Sequence, residues 1–201
     1  MIAPPELEYR EVEHSFWVKG IQQIGVTEIL ISVGIIDFTL VPSGPLEIAK
    51  RRGSNVNMAC YMDDMSELDF DNMDPGLKGY VEAWRKFRAD TGIVSFEMME
   101  EPICLPSLGL AGIPDRVAVL TNKQWAVIEI KTNQVPAWAG HQLALYEIIL
   151  GKPCKRFAVA LKADGRPIVK PFTDRDDRSR ALGALAIHQW KRENGKITQV
   201  R

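Results

Sequence analysis

A mixed α/β fold follows from three observations. Two β-rich runs, 110–120 and 125–132, flank the polar turn Thr121-Asn-Lys-Gln124. Helical apolar spacing recurs on both sides of them. Glycine and proline stop signals separate the segments. Helices, a strand meander, a helix, more strands and a closing helix make a mixed sheet flanked by helices.

The elements run in order. Residues 1–24 are an extended lead-in, with Phe16-Trp17-Val18 the best strand piece. Thr27 is placed to N-cap a short helix over 28–33, which Gly34 ends. Pro45 suits the first turn of a second helix reaching Met62, with Leu46, Ala49, Gly53, Val56, Asn57 and Cys60 near one face. Six acidic residues between 63 and 74 read as a solvated loop or helix start. Residues 79–90 put Tyr80, Ala83, Trp84 and Phe87 at core spacing, and Thr91-Gly92 stops that helix. A strand over 94–103 precedes the two strong runs. A helix over 137–150 is closed by Gly151 and Pro153. Strands over 156–162 and 167–172 follow. Asp174 caps a last helix over 175–193, expected to pack through Leu182, Leu185, Ala186 and Trp190.

With 201 residues, the chain reads as one domain, 1–201. The apolar fraction of 46% and charged fraction of 25% are ordinary for a globular protein. A net charge of −1 argues against a histone-like polyanion surface and leaves room for a local basic groove. The three cysteines, Cys60, Cys104 and Cys154, lack zinc or disulfide spacing and are too few for a four-cysteine iron–sulfur site. The acidic, proline-containing start is unlike a signal peptide, and no stretch is apolar enough to span a bilayer. A cytoplasmic protein with no membrane partner is expected.

Three short pieces carry the chemistry: Gly112-Ile-Pro-Asp115, Glu129-Ile-Lys131 and Gln142-Leu-Ala-Leu-Tyr146. Strand alternation puts Trp125, Val127, Glu129 and Lys131 on one face. A three-residue loop, Thr121-Asn122-Lys123, sets Leu120 opposite Gln124 and so Asp115 opposite Glu129. A two-residue loop would instead set Arg116 opposite Glu129, since one step of register flips every side chain. The first register is expected, because it joins two carboxylates and a lysine. Such a pair, with the Ile130 carbonyl, offers hard oxygens to Mg²⁺ or Mn²⁺. A metal there polarises a scissile phosphate and activates water, while Lys131 orients the nucleophile or neutralises charge. Gln142 and Tyr146 share a helix face, where they are expected to touch a DNA strand.

In these residues the chain resembles the RecB-like branch of the PD-(D/E)XK nuclease superfamily. Its pattern is GxxD, then (D/E)xK one strand later, then QxxxY on the next helix. Looser likeness to compact phage-type exonucleases extends over most of the chain. The resemblance implies a restriction-endonuclease-like core and a divalent-metal-dependent DNA exonuclease acting on linear ends, single- or double-stranded, in recombination, repair or phage replication. It also implies a bacterial or phage-infected host cell. A nicking or structure-selective endonuclease and a weakened DNA-binding or interaction module are the alternatives. A homo-oligomer or a recombination partner protein is compatible with either.

One departure stands out. The family carries a histidine metal ligand in an RGxxxH pattern on an early helix, where this chain has Arg52-Gly53-Ser-Asn-Val-Asn57. Asn57 is then left to coordinate directly, to act through water, or only to pack. The family also implies an acid on the strand before GxxD, for which Glu101 and Glu97 rank first and Glu100 is the third candidate. A basic rim for DNA would come from Lys50, Arg51, Arg52, Arg116 and Lys123.

Overall fold

A computed structural model describes residues 6–39 and 41–196. Three short strands open it: β1 (Leu7–Arg10), β2 (Ser15–Val18) and β3 (Ile21–Gly25), paired as an antiparallel meander. Helix α1 (Val26–Ser32) begins earlier than the Thr27 signal implies. Its N-cap is Gly25, whose N–H donates to Glu28 Oε2 at 3.4 Å. Helix α2 (Ser43–Asp64) follows, with Pro45 in its first turn. Helix α3 (Pro75–Thr91) is closed at both ends by local chemistry. Asp74 Oδ1 accepts the Gly76 N–H at 2.8 Å, and Gly92 takes the left-handed cap with φ 70°.

The strand expected over 94–103 divides into β4 (Ile93–Met99) and β5 (Ile103–Leu105). The run over 110–120 divides too, into β6 (Leu110–Gly112) and β7 (Arg116–Leu120). Proline explains the second break, since Pro114 cannot donate to a ladder. Then come β8 (Trp125–Thr132), α4 (Ala139–Leu150), β9 (Cys154–Leu161), β10 (Pro167–Pro171) and α5 (Asp176–Glu193). Asp174 Oδ1 accepts the Asp176 N–H at 2.9 Å at the start of α5.

The class is mixed α/β, but the strands form two five-stranded mixed sheets rather than one central sheet. Their orders are β1-β2-β3-β6-β5 and β10-β9-β8-β7-β4. The pairings β3–β6 and β8–β9 are parallel and the rest antiparallel. The chain passes from the first sheet to the second at Ile113-Pro114-Asp115, so Asp115 stands where the two meet.

The second sheet is covered on both faces. Ala118, Ala126, Ile128 and Ile130 pack with Val56 and Cys60 of α2 and Tyr80, Trp84 and Phe87 of α3. On the other face Val117 and Val127 pack with Leu143, Ala144 and Ile148 of α4. Helix α4 is apolar nearly all round because α1, α5 and strands of both sheets surround it. The last helix differs from the expected packing. Its buried face is Ala181, Ala184, Leu185 and His188, while Leu182 and Trp190 stay exposed.

Among the described residues no helix is long and apolar enough to cross a membrane.

Candidate active site

The β7–β8 hairpin takes the three-residue loop. The Leu120 N–H donates to the Gln124 carbonyl at 2.9 Å, and Val117 pairs with Val127 and Arg116 with Ile128. Continued by one residue, that register sets Asp115 across from Glu129. One step further it sets Pro114 across from Ile130. Proline has no N–H for the Ile130 carbonyl, so the ladder stops there. Asp115 fills half of the gap, its Oδ2 accepting the Ile130 N–H at 2.6 Å. A residue's N–H and C=O leave a strand on the same edge, so the Ile130 carbonyl also lies on Asp115's side without a ladder donor.

Glu129 and Lys131 project from the same face of β8, toward α4. Lys131 Nζ donates to Glu129 Oε1 at 2.7 Å and to Gln142 Oε1 at 3.4 Å. It also sits 5.0 Å from the centre of the Trp138 ring. From α2, Asn57 Nδ2 donates to Asp115 Oδ1 at 3.2 Å. From α4, the Tyr146 hydroxyl donates to the Ile113 carbonyl at 2.9 Å. A Cβ on Gly112 would lie 2.8 Å from Tyr146 Cε1 and 3.0 Å from Val26 Cγ2. The glycine of the first motif is therefore a close-approach residue, and the tyrosine of the third is what approaches it.

Burial sets the electrostatics. It raises the Glu129 carboxyl to about 7, reinforced by the negative Asp115 and opposed by Lys131. Burial raises Asp115 as well, against Lys131, the Ile130 N–H, Arg116 and Asn57. Tyr146 is pushed well above its ordinary value, by burial first and then by Glu129 and Asp115. Glu129 Oε2 and Asn57 Oδ1 are both buried with no hydrogen-bond partner.

Several residues expected to contact DNA take other roles. Arg116 is wholly buried, donating to Asp64 Oδ2 at 2.7 Å, to the Asp115 carbonyl at 2.7 Å and to Glu100 Oε1 at 3.4 Å. It stacks near the Tyr61 and Trp84 rings and anchors the Asp115 peptide instead of a phosphate. Gln142 and Tyr146 are 4% and 3% exposed, so neither presents a surface to a strand; they hold Lys131 and the Ile113 loop. Lys123 lies at the turn, about 20 Å along the hairpin from Asp115 at ~3.4 Å per residue. Lys50 pairs with Glu47 at 3.0 Å on the exposed start of α2. Arg52 is half-buried, and its Nε finds no partner.

Glu101 and Glu97 are exposed, and Glu100 is the acid that faces Asp115. The Glu100 N–H donates to the Asp115 carbonyl at 3.2 Å, and its φ of 54° turns the chain there. Burial raises the Glu100 carboxyl, against the pull of Arg116. That left-handed turn is invisible in Met99-Glu100-Glu101-Pro102, where the proline favours Glu101 as the strand end. Asp63 and Asp64 also leave the solvated loop expected for them. They end α2 and are buried against Arg85, Arg88 and Arg116.

The donor set has to meet the needs of a divalent cation. Among the described residues no three His, Cys, Asp or Glu side chains converge as a ready cage. What converges is two carboxylates and a main-chain carbonyl, with Asn57 turning its N–H to Asp115. Glu129 Oε2 is buried without a donor, and these oxygens are hard ligands of the kind Mg²⁺ and Mn²⁺ take. The two carboxylates and the carbonyl fit such an ion; Asn57 fits it only with its amide turned over.

No protein-family model and no curated protein matches the chain. A solved structure titled "Crystal structure of SSO0001" is similar at 15% identity, over 83% of this chain and 76% of that one, with a TM-score of 0.36. So shallow a likeness carries no argument, and the functional reading rests on the site.

Proposed function

We propose that the chain is a divalent-metal-dependent deoxyribonuclease of the RecB-like PD-(D/E)XK kind, cutting phosphodiester bonds at DNA ends as an exonuclease. The observation that carries the reading is the convergence of Asp115, Glu129 and Lys131, with Glu129 Oε2 buried and without a donor. Asp115, Glu129, the Ile130 carbonyl and Asn57 would hold Mg²⁺ or Mn²⁺. Once bound, such an ion supplies a Lewis acid for the phosphate and lowers the pKa of a water.

The chain's own residues do the rest. The Ile130 N–H fixes one Asp115 oxygen and the Asn57 side chain donates to the other. Gln142 and Glu129 hold the Lys131 ammonium in place, where it can orient a nucleophilic water or neutralise charge on the phosphate. Tyr146 and Gly112 lock the loop that carries Asp115 against α4. The setting is the cytoplasm of a bacterial or phage-infected cell, with DNA as the partner.

Asn57 supports a second reading, a weakened nuclease used as a DNA-binding or interaction module. It turns its N–H, not its carbonyl oxygen, toward Asp115. One assay separates the readings. End-labelled linear and closed circular DNA are incubated with Mg²⁺ or Mn²⁺, alongside Lys131→Ala. Loss of linear DNA alone supports the exonuclease, and loss of circular DNA an endonuclease. DNA binding without lysine-dependent cleavage would leave only the module.

A further inference from the structure

Trp138, Gln142 and Tyr146 fall at i, i+4 and i+8 and make one stripe at the start of α4. The stripe runs from core to surface. Tyr146 lies at its buried end against Ile113, and Gln142 sits beside Lys131. Trp138 is the half-buried outer member. The expected substrate contact of the third motif, a base on an aromatic ring, is closed to Tyr146, whereas Trp138 packs partly on the core and keeps part of its side chain exposed.

The neighbours of Trp138 sharpen this. Of the groups around the carboxylates, Glu129 has a side chain 7% exposed and Lys131 one 20% exposed. Lys131 is thus the more open of the two, with Asp115 also partly exposed. Its Nζ lies 5.0 Å from the centre of the Trp138 ring, so ring and ammonium share the opening. The Trp138 backbone is held there, its carbonyl accepting the N–H groups of His141 and Gln142 at 3.0 and 3.2 Å. A fixed indole beside the Lys131 ammonium is a surface on which a flat π system stacks while its phosphate meets the charge.

We infer that Trp138 is a substrate-contacting residue that stacks a nucleobase beside the scissile phosphate, an inference that rests on the nuclease reading. Stacking is tolerant of base identity, so it would grip any unpaired end nucleotide without reading its sequence. Arginine contacts to phosphate would do the reverse, gripping paired and unpaired DNA alike.

The test measures binding apart from cleavage. A short fluorescein-labelled oligothymidylate with cleavage-resistant phosphorothioate linkages is titrated by polarisation in Mg²⁺. Wild type, Trp138→Leu and Trp138→Phe are compared, and the same duplexed oligonucleotide gives a second arm. Trp138→Leu should bind the single strand roughly tenfold more weakly, and Trp138→Phe within about twofold of wild type. The duplex should lose less. The oligonucleotide should quench wild-type tryptophan fluorescence more than that of Trp138→Phe. In cleavage of ordinary DNA, Trp138→Leu should raise KM and largely spare kcat. Equal binding by Trp138→Leu and wild type overturns the inference and leaves the nuclease reading standing. So does a fall in kcat with binding unchanged, which assigns the indole to holding Lys131. Failure of the wild type to bind or cut any DNA overturns both.

Discussion

Two buried charge clusters lie on either side of one peptide, and they are built on opposite principles. Behind Asp115, Asp63 and Asp64 of α2 meet Arg85 and Arg88 of α3 and Arg116 of β7. Arg85 donates to Asp63 through Nε at 2.9 Å and Nη2 at 2.6 Å, Arg116 to Asp64 at 2.7 Å, and Trp84 Nε1 to Asp64 at 2.8 Å. Cations outnumber these two aspartates, and Glu100 joins at the rim. In front, Asp115 and Glu129 share Lys131, and both carboxyls are raised. Buried charge by itself therefore marks nothing. The excess of carboxylate over cation is what the proposed metal reading rests on, whereas a matched set ties helices to a sheet.

The largest effect should separate the clusters by what each is for. Lys131→Ala should lower cleavage by about 10²–10⁴-fold, the usual worth of a positioned proton-transfer group, in a linear-DNA assay. An unchanged rate would strip the front cluster of its catalytic role. Arg116→Met should act on stability instead. It takes the donor from Asp64 Oδ2 and leaves that buried carboxylate to Arg88 and Trp84, a loss of about 1–3 kcal/mol that urea unfolding would read. A loss below about 1 kcal/mol would rank this pair with surface ion pairs.

Glu129→Gln should move stability the other way. A carboxyl raised to about 7 in the fold, against an ordinary 4.5, binds its proton more tightly when folded. Its cost is absent below the unfolded value and fully present once pH passes about 7. Chelator-treated wild type should therefore lose stability as the pH rises across that window, by at most about 1.4 kcal/mol for each pH unit crossed. Glu129→Gln should flatten the slope in a series of thermal melts. Equal slopes in the two proteins would deny that Glu129 carries the strain. The smallest change is expected of Tyr146→Phe, which removes the hydrogen bond to Ile113 and costs about 1 kcal/mol. Its oligonucleotide affinity should match wild type, since the hydroxyl is buried; a large affinity loss would return Tyr146 to the DNA surface.

Much of this was readable in the sequence wherever the signal was local. The α3 core face and the shared face of Glu129 and Lys131 follow from period and alternation, and the three-residue hairpin loop from the two carboxylates and the lysine that it joins. The two-sheet division was hidden, because Pro114 breaks a run whose apolar residues are continuous on either side. Side-chain depth was hidden as well. Motif spacing placed Gln142 and Tyr146 on one helix face but could not say that α1, α5 and both sheets bury it. Arg116 reads as a rim cation until Asp64, fifty-two positions earlier in the chain, is found against it. The last helix misled by one step: His188, whose ring lies 2.6 Å from Ser32 Oγ, takes the inward place that hydropathy gives to Trp190.

The hydrogen bond from the Ile130 N–H to Asp115 has a practical use. At 2.6 Å it makes one backbone amide a reporter of one carboxylate. In an amide nuclear magnetic resonance spectrum, the Ile130 peak should lie far downfield while Asp115 is ionised and should move when the carboxylate is protonated or drawn to a cation. Titrating Mg²⁺, Mn²⁺ or acid against that single peak would follow the site directly, in a silent protein as readily as in an active one.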